Sequence, residues 1–416
     1  MRLQAFILTL MVAQSLQEQV SYHGYQVLQT KPIASNEIIS NLIRFVESDT
    51  SNAFDFWAIP RFEGSIAKIM VAPGHAQRLE MFLEKHGIGF DVLIQDVELV
   101  HQAADKDQKL RRFSRKASDF AIDWDNYYDL SEINEFMDQM AKLHSNVSVE
   151  VYGKTYEKRD LKLLKIAQAG EGAPNVFIEA GIHAREWIAP ATATYIAHAL
   201  LQDPKNAAYL RKFNFHILPV ADPDGYDYSR KDRRLWRKNR TKNPGSFCKG
   251  VDANRNFDYH WHEIGVSDDP CTEIYAGKEA FSEPEAKFFT DYLLGLKPSP
   301  VLAMGLHSAA DLFLIPYSYS HDAKPDNFEE LFSNVQEACD NLNTVHGRDF
   351  TVIHTPNLYP CGGVAHDWYM GVLGVQYAFT VELRQGGLFG FDLPADQIKP
   401  SGEELFVAFK TMLEKL

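Results

Sequence analysis

The sequence is sparing with cysteine and with positive charge. Four cysteines stand in 416 residues, and 42 Lys and Arg face 56 Asp and Glu, a formal net charge of −14. So acidic a chain lacks the basic face that a phosphate backbone demands, which argues against nucleic-acid binding. Beyond the N-terminus no apolar run reaches about 20 residues, so no segment is expected to span a bilayer. Internal repeats and low-complexity tracts are absent as well, which excludes solenoid arrays and long disordered linkers. The even cysteine count fits an oxidising compartment without giving the connectivity.

What is present fits a well-packed globular protein, with 45% hydrophobic and 12% aromatic residues. The length exceeds one typical core, so one large and one small domain are expected. Arg2 followed by the apolar stretch 5–13 and the small-residue site Ala13-Gln14-Ser15 reads as a signal peptide over residues 1–15. The protein is therefore expected to be secreted. Asn146-Val147-Ser148 and Asn239-Arg240-Thr241 are glycosylation sequons.

Residues about 21–105 read as a separate small unit. Ser35 is placed to cap a helix whose apolar positions Ile38, Ile39, Leu42, Ile43 and Val46 share one face. A second helix, 75–85, stops at Gly87. With strands expected at 25–28, 65–71 and 90–94, the pattern predicts a ferredoxin-like α+β sandwich. A basic cluster follows, Lys109-Leu110-Arg111-Arg112-Phe113-Ser114-Arg115-Lys116. On a surface connector it is a target for a trypsin-like protease; otherwise it is a solvated helix end. From residue 117 to 416 strands alternate with helices, which predicts a mixed, largely parallel twisted sheet covered by helices. Open sheets of this kind place ligands at strand ends.

Chemistry-bearing residues fall at those ends. The strand-like run 176–180 leads into Gly181-Ile182-His183-Ala184-Arg185-Glu186-Trp187, with an imidazole and a carboxylate three residues apart. Such a pair can supply two of the three protein ligands of a catalytic zinc. His307 ends the apolar run 301–306, and Glu382 follows Phe379-Thr380-Val381. A carboxylate within an apolar strand needs a partner or a task; Arg384 is the nearest candidate partner. Arg237 lies in Leu235-Trp236-Arg237-Lys238, Asp252, Asn254 and Arg255 in Asp-Ala-Asn-Arg-Asn, and Tyr359 just before Gly362-Gly363.

Taken in this order, His-Ala-Arg-Glu-Trp, Asp-Ala-Asn-Arg-Asn and Thr-Val-Glu-Leu-Arg make the chain resemble the secreted zinc carboxypeptidases of the pancreatic A/B type in their zymogen form. The resemblance covers essentially the whole chain. It implies a prosegment over residues 16–116, a catalytic domain over 117–416 and one zinc ion held by His183, Glu186 and His307. That His₂Glu set is the one known from carboxypeptidase A. It implies Glu382 as general base, Arg237 as oxyanion stabiliser, and Arg255, Asn254, Tyr359 and Arg185 as contacts to the substrate's terminal carboxylate. Asp252 would orient His183 from behind. Cys248 and Cys271 match the family's disulfide; Cys339 and Cys361 either form a second bridge or remain free. Expected partners are peptides with a free C-terminus and an activating trypsin-like protease, with the protein a monomer.

Specificity departs from the family pattern. His366 stands where B-type enzymes carry an acid and A-type enzymes an apolar residue. Leu314, Ser318, His354, Cys361, Val364 and Thr380 map to the pocket around it. A neutral imidazole attracts no basic side chain, so an A-like preference for neutral C-terminal residues is expected, with an acidic or polar preference through His366 as the alternative. After His307 the family commonly continues Ser-Tyr, whereas this chain reads Ser308-Ala309-Ala310, which alters a wall used by upstream substrate residues. A non-catalytic binding protein on the same fold would have lost ligands or base, and here all are present.

Overall fold

The structure, a computed structural model, describes residues 20–114, 120–386 and 390–416. The expected signal at 1–15 lies outside the described residues, as do Arg115 and Lys116.

Residues 20–114 build their own sheet from β1 (Gln26–Thr30), α1 (Asn36–Glu47), β2 (Phe54–Ala58), β3 (Lys68–Val71), α2 (Ala76–Lys85) and β4 (Phe90–Ile94). The strand order is β2-β3-β1-β4, every pair antiparallel, which is the expected ferredoxin-like arrangement. Ser35 caps α1, its hydroxyl accepting from the Ile38 amide at 3.3 Å. The face carrying Ile39, Leu42 and Val46 packs on Leu28, Ile69 and Val71 of the sheet. Gly87 follows α2 at φ 66°, a left-handed turn that glycine adopts without strain. Strand β2 was not legible beforehand. Its five residues show no clean alternation, and its Trp57 buries instead with Leu235 of the catalytic body.

The expected connector is a helix, α3 (Val97–Ser114). Arg111 pairs with Asp107 one turn back at 2.6 Å. Arg112 donates to the Glu132 carboxylate at 2.9 Å and the Tyr127 carbonyl at 3.1 Å, which ties the helix to the catalytic domain.

That domain runs α4 (Leu130–Leu143), β5 (Val147–Lys154), β6 (Asp160–Ile166), β7 (Asn175–Ala180), α5 (Ile188–Gln202), α6 (Ala207–Lys212), β8 (Asn214–Leu218), α7 (Pro223–Lys231), α8 (Pro284–Gly295), β9 (Pro300–Ser308), β10 (Leu312–Ile315), α9 (Phe328–His346), β11 (Thr351–His354), α10 (Ala365–Gly371), β12 (Tyr377–Leu383) and α11 (Ile398–Lys415). Its eight-stranded sheet has the order β11-β10-β12-β9-β7-β8-β6-β5. The central run β12-β9-β7-β8 is parallel, and β5, β6 and β10 join antiparallel. Val176, Phe177 and Ile178 of β7 are fully buried, as expected of a strand covered on both faces. Helices α5, α9 and α11 pack together, while α10 lies against β9 and β12.

Cys248 and Cys271 are disulfide-bonded, whereas Cys339 and Cys361 are free and buried. The two sequons differ sharply. Asn146 is half-buried, but Asn239 is wholly buried and its amide donates to Glu283 at 2.7 Å and Glu285 at 2.9 Å. A glycan on that nitrogen is incompatible with this packing.

The carboxyls below Asn239 make stability depend on pH. Burial and the neighbouring Glu283 push Glu285 up to about 8, and burial beside Glu285 raises Asp222 too. Glu285 Oε1 and Asp222 Oδ2 have no protein partner. Between the ordinary value of 4.5 and about 8 the folded chain keeps a proton that the unfolded chain releases. Stability therefore falls as pH rises through that window. Glu285→Gln should remove the part of the slope that Glu285 contributes, gaining on the order of 2–4 kcal/mol relative to the native chain between pH 5 and pH 8. Calorimetric Tm values at the two pH values check this; parallel losses in both proteins would refute it.

Candidate active site

The site forms where the parallel strands end. After β7 the chain turns at Gly181, φ 66°, where a Cβ would lie 3.0–3.2 Å from Pro190, Pro219 and Val220. The turn delivers His183 and Glu186 ahead of α5. His307 is the penultimate residue of β9, and the β9–β12 register pairs it directly with Glu382. Two residues far apart in sequence thus become neighbours through strand pairing alone.

His183, Glu186 and His307 are buried, with ligand atoms all within 4.8 Å of one another. The two Nδ1 atoms face each other at 3.1 Å, and the Glu186 oxygens lie 2.9 Å from one and 3.2 Å from the other. On the far side of its ring, His183 Nε2 meets Asp252 at 3.1 Å. Burial alone would raise Asp252, but Arg237, His183 and Arg255 hold it well below the usual carboxylate range. An ionised Asp252 accepts a hydrogen bond from Nε2–H and leaves the Nδ1 lone pair pointing at Glu186 and His307. Two imidazole lone pairs and one carboxylate converging on a point is a donor set that fits zinc.

Glu382 is partly buried at the cavity wall, and its carboxyl is pushed up to about 7, by burial first, with His307 opposing and Glu186 adding to it. Arg384 is not its partner, because its Nε donates to Glu404 on α11 at 2.8 Å. Arg237 donates to Asp252 at 2.8 Å and comes within 3.9 Å of Glu186. Arg255 donates to the Tyr359 hydroxyl at 2.9 Å and to the carbonyls of Asn254 and Gly265. The Asn254 side-chain oxygen accepts from the Ala365 amide at 2.9 Å, so its NH₂ remains the group with protons to offer. His183, Glu186, His307, Glu382, Arg237, Arg255, Asn254 and Tyr359 line one cavity of about 140 Å³, with Asp252 behind them.

His366, the second residue of α10, is buried at one end of that cavity with both ring nitrogens engaged. Nε2 lies 2.7 Å from the Ser318 hydroxyl, 3.4 Å from Thr355 and 3.2 Å from Asp367; Nδ1 lies 2.7 Å from Thr380. Thr355 spends its proton on the Ile315 carbonyl and Ser318 spends its own on Asp367. Both hydroxyls must therefore accept from Nε2–H, and Nδ1 accepts from Thr380. Leu314, Cys361 and Val364 also line the cavity, whereas His354 and Ser318 are not among its lining residues; His354 packs edge-on to Phe328. Thr355 carried no sequence signal, since its place depends on how the chain packs around α10.

Arg185 is not open to a substrate. The prosegment's Asp55 binds it in a fork, at 2.7 and 3.1 Å, and the guanidinium lies 4.2 Å from the centre of the Phe391 ring. Phe56, Trp57, Ala58, Ile59 and Arg61 of the prosegment close the cavity.

Fold and site together define a metal-dependent hydrolase on an α/β sheet, covered by an N-terminal domain. The comparisons agree. The family model for zinc carboxypeptidases matches residues 133–408, and that for the carboxypeptidase activation peptide matches 33–103. The chain belongs to the zinc carboxypeptidase family and carries its activation peptide. It is 41% identical over 297 residues to carboxypeptidase B of Astacus astacus, covering 70% of this chain and 97% of that one. It is 34% identical over 402 residues to carboxypeptidase A2 of Mus musculus, covering 95% and 94%. The crystal structure of carboxypeptidase A from Helicoverpa armigera superposes with a TM-score of 0.87 at 25% identity, covering 94% of this chain and 97% of that one. Relatives carry both A and B names, so similarity alone does not assign the residue removed.

Proposed function

We propose that this chain is a secreted zymogen that, once cut, removes neutral residues from the C-termini of peptides. The observation that carries the reaction is one cavity holding the ligand triad, the Glu382 carboxylate and an arginine fork. His183, Glu186 and His307 hold zinc, which when bound supplies a Lewis acid that lowers the pKa of water and polarises a carbonyl. Glu382 takes the proton of the attacking water and passes it to the leaving amine. Arg237, fixed by Asp252, offers a stationary positive charge where the oxyanion develops. Arg255 and the Asn254 NH₂ grip the terminal carboxylate, and the Tyr359 hydroxyl closes on it.

For specificity the support is the closed hydrogen-bond account of the pocket floor. With His366 neutral, the protons of Ser318, Thr355, Thr380 and His366 are all spent within the floor, which disfavours an acidic side chain. An acidic preference requires a protonated His366, whose Thr380 partner then has a proton to offer.

Residues 1–15 serve as signal, 16–116 as prosegment and 117–416 as the catalytic domain, which acts as a monomer. No helix among the described residues is long and apolar enough to cross a membrane. Latency follows from the cover over the cavity and from Asp55, whose carboxylate occupies Arg185. Cleavage by a trypsin-like protease near Arg111 to Lys116 frees both.

The test is trypsin-cleaved protein given peptides varied only at the C-terminal residue, with release followed by mass spectrometry. Chelator-sensitive release of neutral residues first is expected. Glu or Asp first would overturn the specificity, and no release from folded, zinc-loaded protein would overturn the activity.

A further inference from the structure

Among the described residues, Arg61 is the only ionisable side chain the prosegment contributes to the cavity wall. Its guanidinium donates to the Ala310 carbonyl at 2.9 Å, on the loop directly after His307. Burial opposes a charge there, and the carboxylates of Glu382 and Asp311 favour it. Asp311 is itself fixed by Arg348 at 2.8 Å and by the Gln385 amide at 3.3 Å. Ala309 and Ala310 present almost no side chain, so the guanidinium can reach the main chain.

On the reading above, Arg255 and His366 place the terminal residue of a substrate. The peptide upstream of it must then leave past the other wall of the cavity, the loop Ser308-Ala309-Ala310. This is the wall that Arg61 touches. We propose that the space filled by Arg61 in the zymogen is, in the cleaved enzyme, a subsite for a basic side chain upstream of the scissile bond, with the Ala310 carbonyl facing it. The prosegment then shields the site partly by placing there the kind of side chain a preferred substrate brings. The inference rests on the carboxypeptidase reading and adds to it a second determinant of substrate choice, independent of the C-terminal residue.

The experiment uses cleaved, zinc-loaded enzyme and N-blocked tripeptides ending in leucine. Each of the two preceding residues is set in turn to arginine, norleucine or glutamate, and leucine release is measured. Arginine is expected to exceed norleucine about tenfold in kcat/KM at one of the two positions, with glutamate lowest, because the gain is one charged hydrogen bond in a partly dry site. In about 1 M salt, where the screening length is about 3 Å, the gap should narrow. Equal rates for arginine and norleucine at both positions overturn the subsite while leaving the carboxypeptidase intact. No leucine from any peptide would instead overturn the activity, and the subsite with it.

Discussion

Glu382→Gln is expected to keep its zinc and its fold while kcat falls by about 10²–10⁴-fold, the usual worth of a positioned base. The amide has the size and hydrogen-bonding reach of the carboxylate but cannot accept the proton. Folding should not suffer. Glu382 sits in β12 with its main chain paired to β9 and β10, and its carboxyl is already pushed up to about 7 by burial, so a neutral group suits the environment. Steady-state kinetics beside metal analysis separates the outcomes. Near-native turnover would move the base elsewhere, and loss of metal would make Glu382 part of the ligand set.

The second large effect concerns the ligands. His307→Ala should abolish metal retention on dialysis against a chelator and take activity with it. The expected loss of affinity exceeds the roughly 10–100-fold that removal of an outer hydrogen-bond partner costs. A readout independent of turnover is available: zinc binds the folded state, so a chelator should lower the Tm of the native protein but leave the variant unmoved. Stoichiometric zinc in the dialysed variant would refute the triad. His183→Ala should behave alike and also remove one partner of the Asp252 carboxylate, which would keep the Asn254 amide and its arginines.

Much of this was legible early, for a local reason. The prosegment helices announced themselves because an apolar stripe at helical spacing needs no knowledge of what it packs against. His183 and Glu186 were legible because a short turn fixes their spacing. Strand β2 escaped because its burial is shared between its own sheet and the catalytic body. The connector reads from sequence as a protease target or a solvated helix end; its anchoring is not legible there, because Arg112 finds its partner in Glu132, on a different domain. His354 was misplaced for the converse reason: a position matching a pocket in relatives turned its ring toward Phe328.

The sequence by itself determined the ligand types, the order of the motifs, the family they belong to and the division into a small α+β cover and a large α/β body. Chain connectivity dictates these, since residues a few positions apart have little freedom in how they face. Tertiary structure decided the rest. The pairing of β9 with β12 set Glu382 beside His307, and a slip of one residue would have turned it to the other face of the sheet. Domain docking put Asp55 on Arg185 and Arg61 on Ala310. Packing around α10 fixed the proton on His366, and burial consumed the Asn239 amide. Each of these depends on long-range register and on which polar groups lose water together, and neither is written in local spacing.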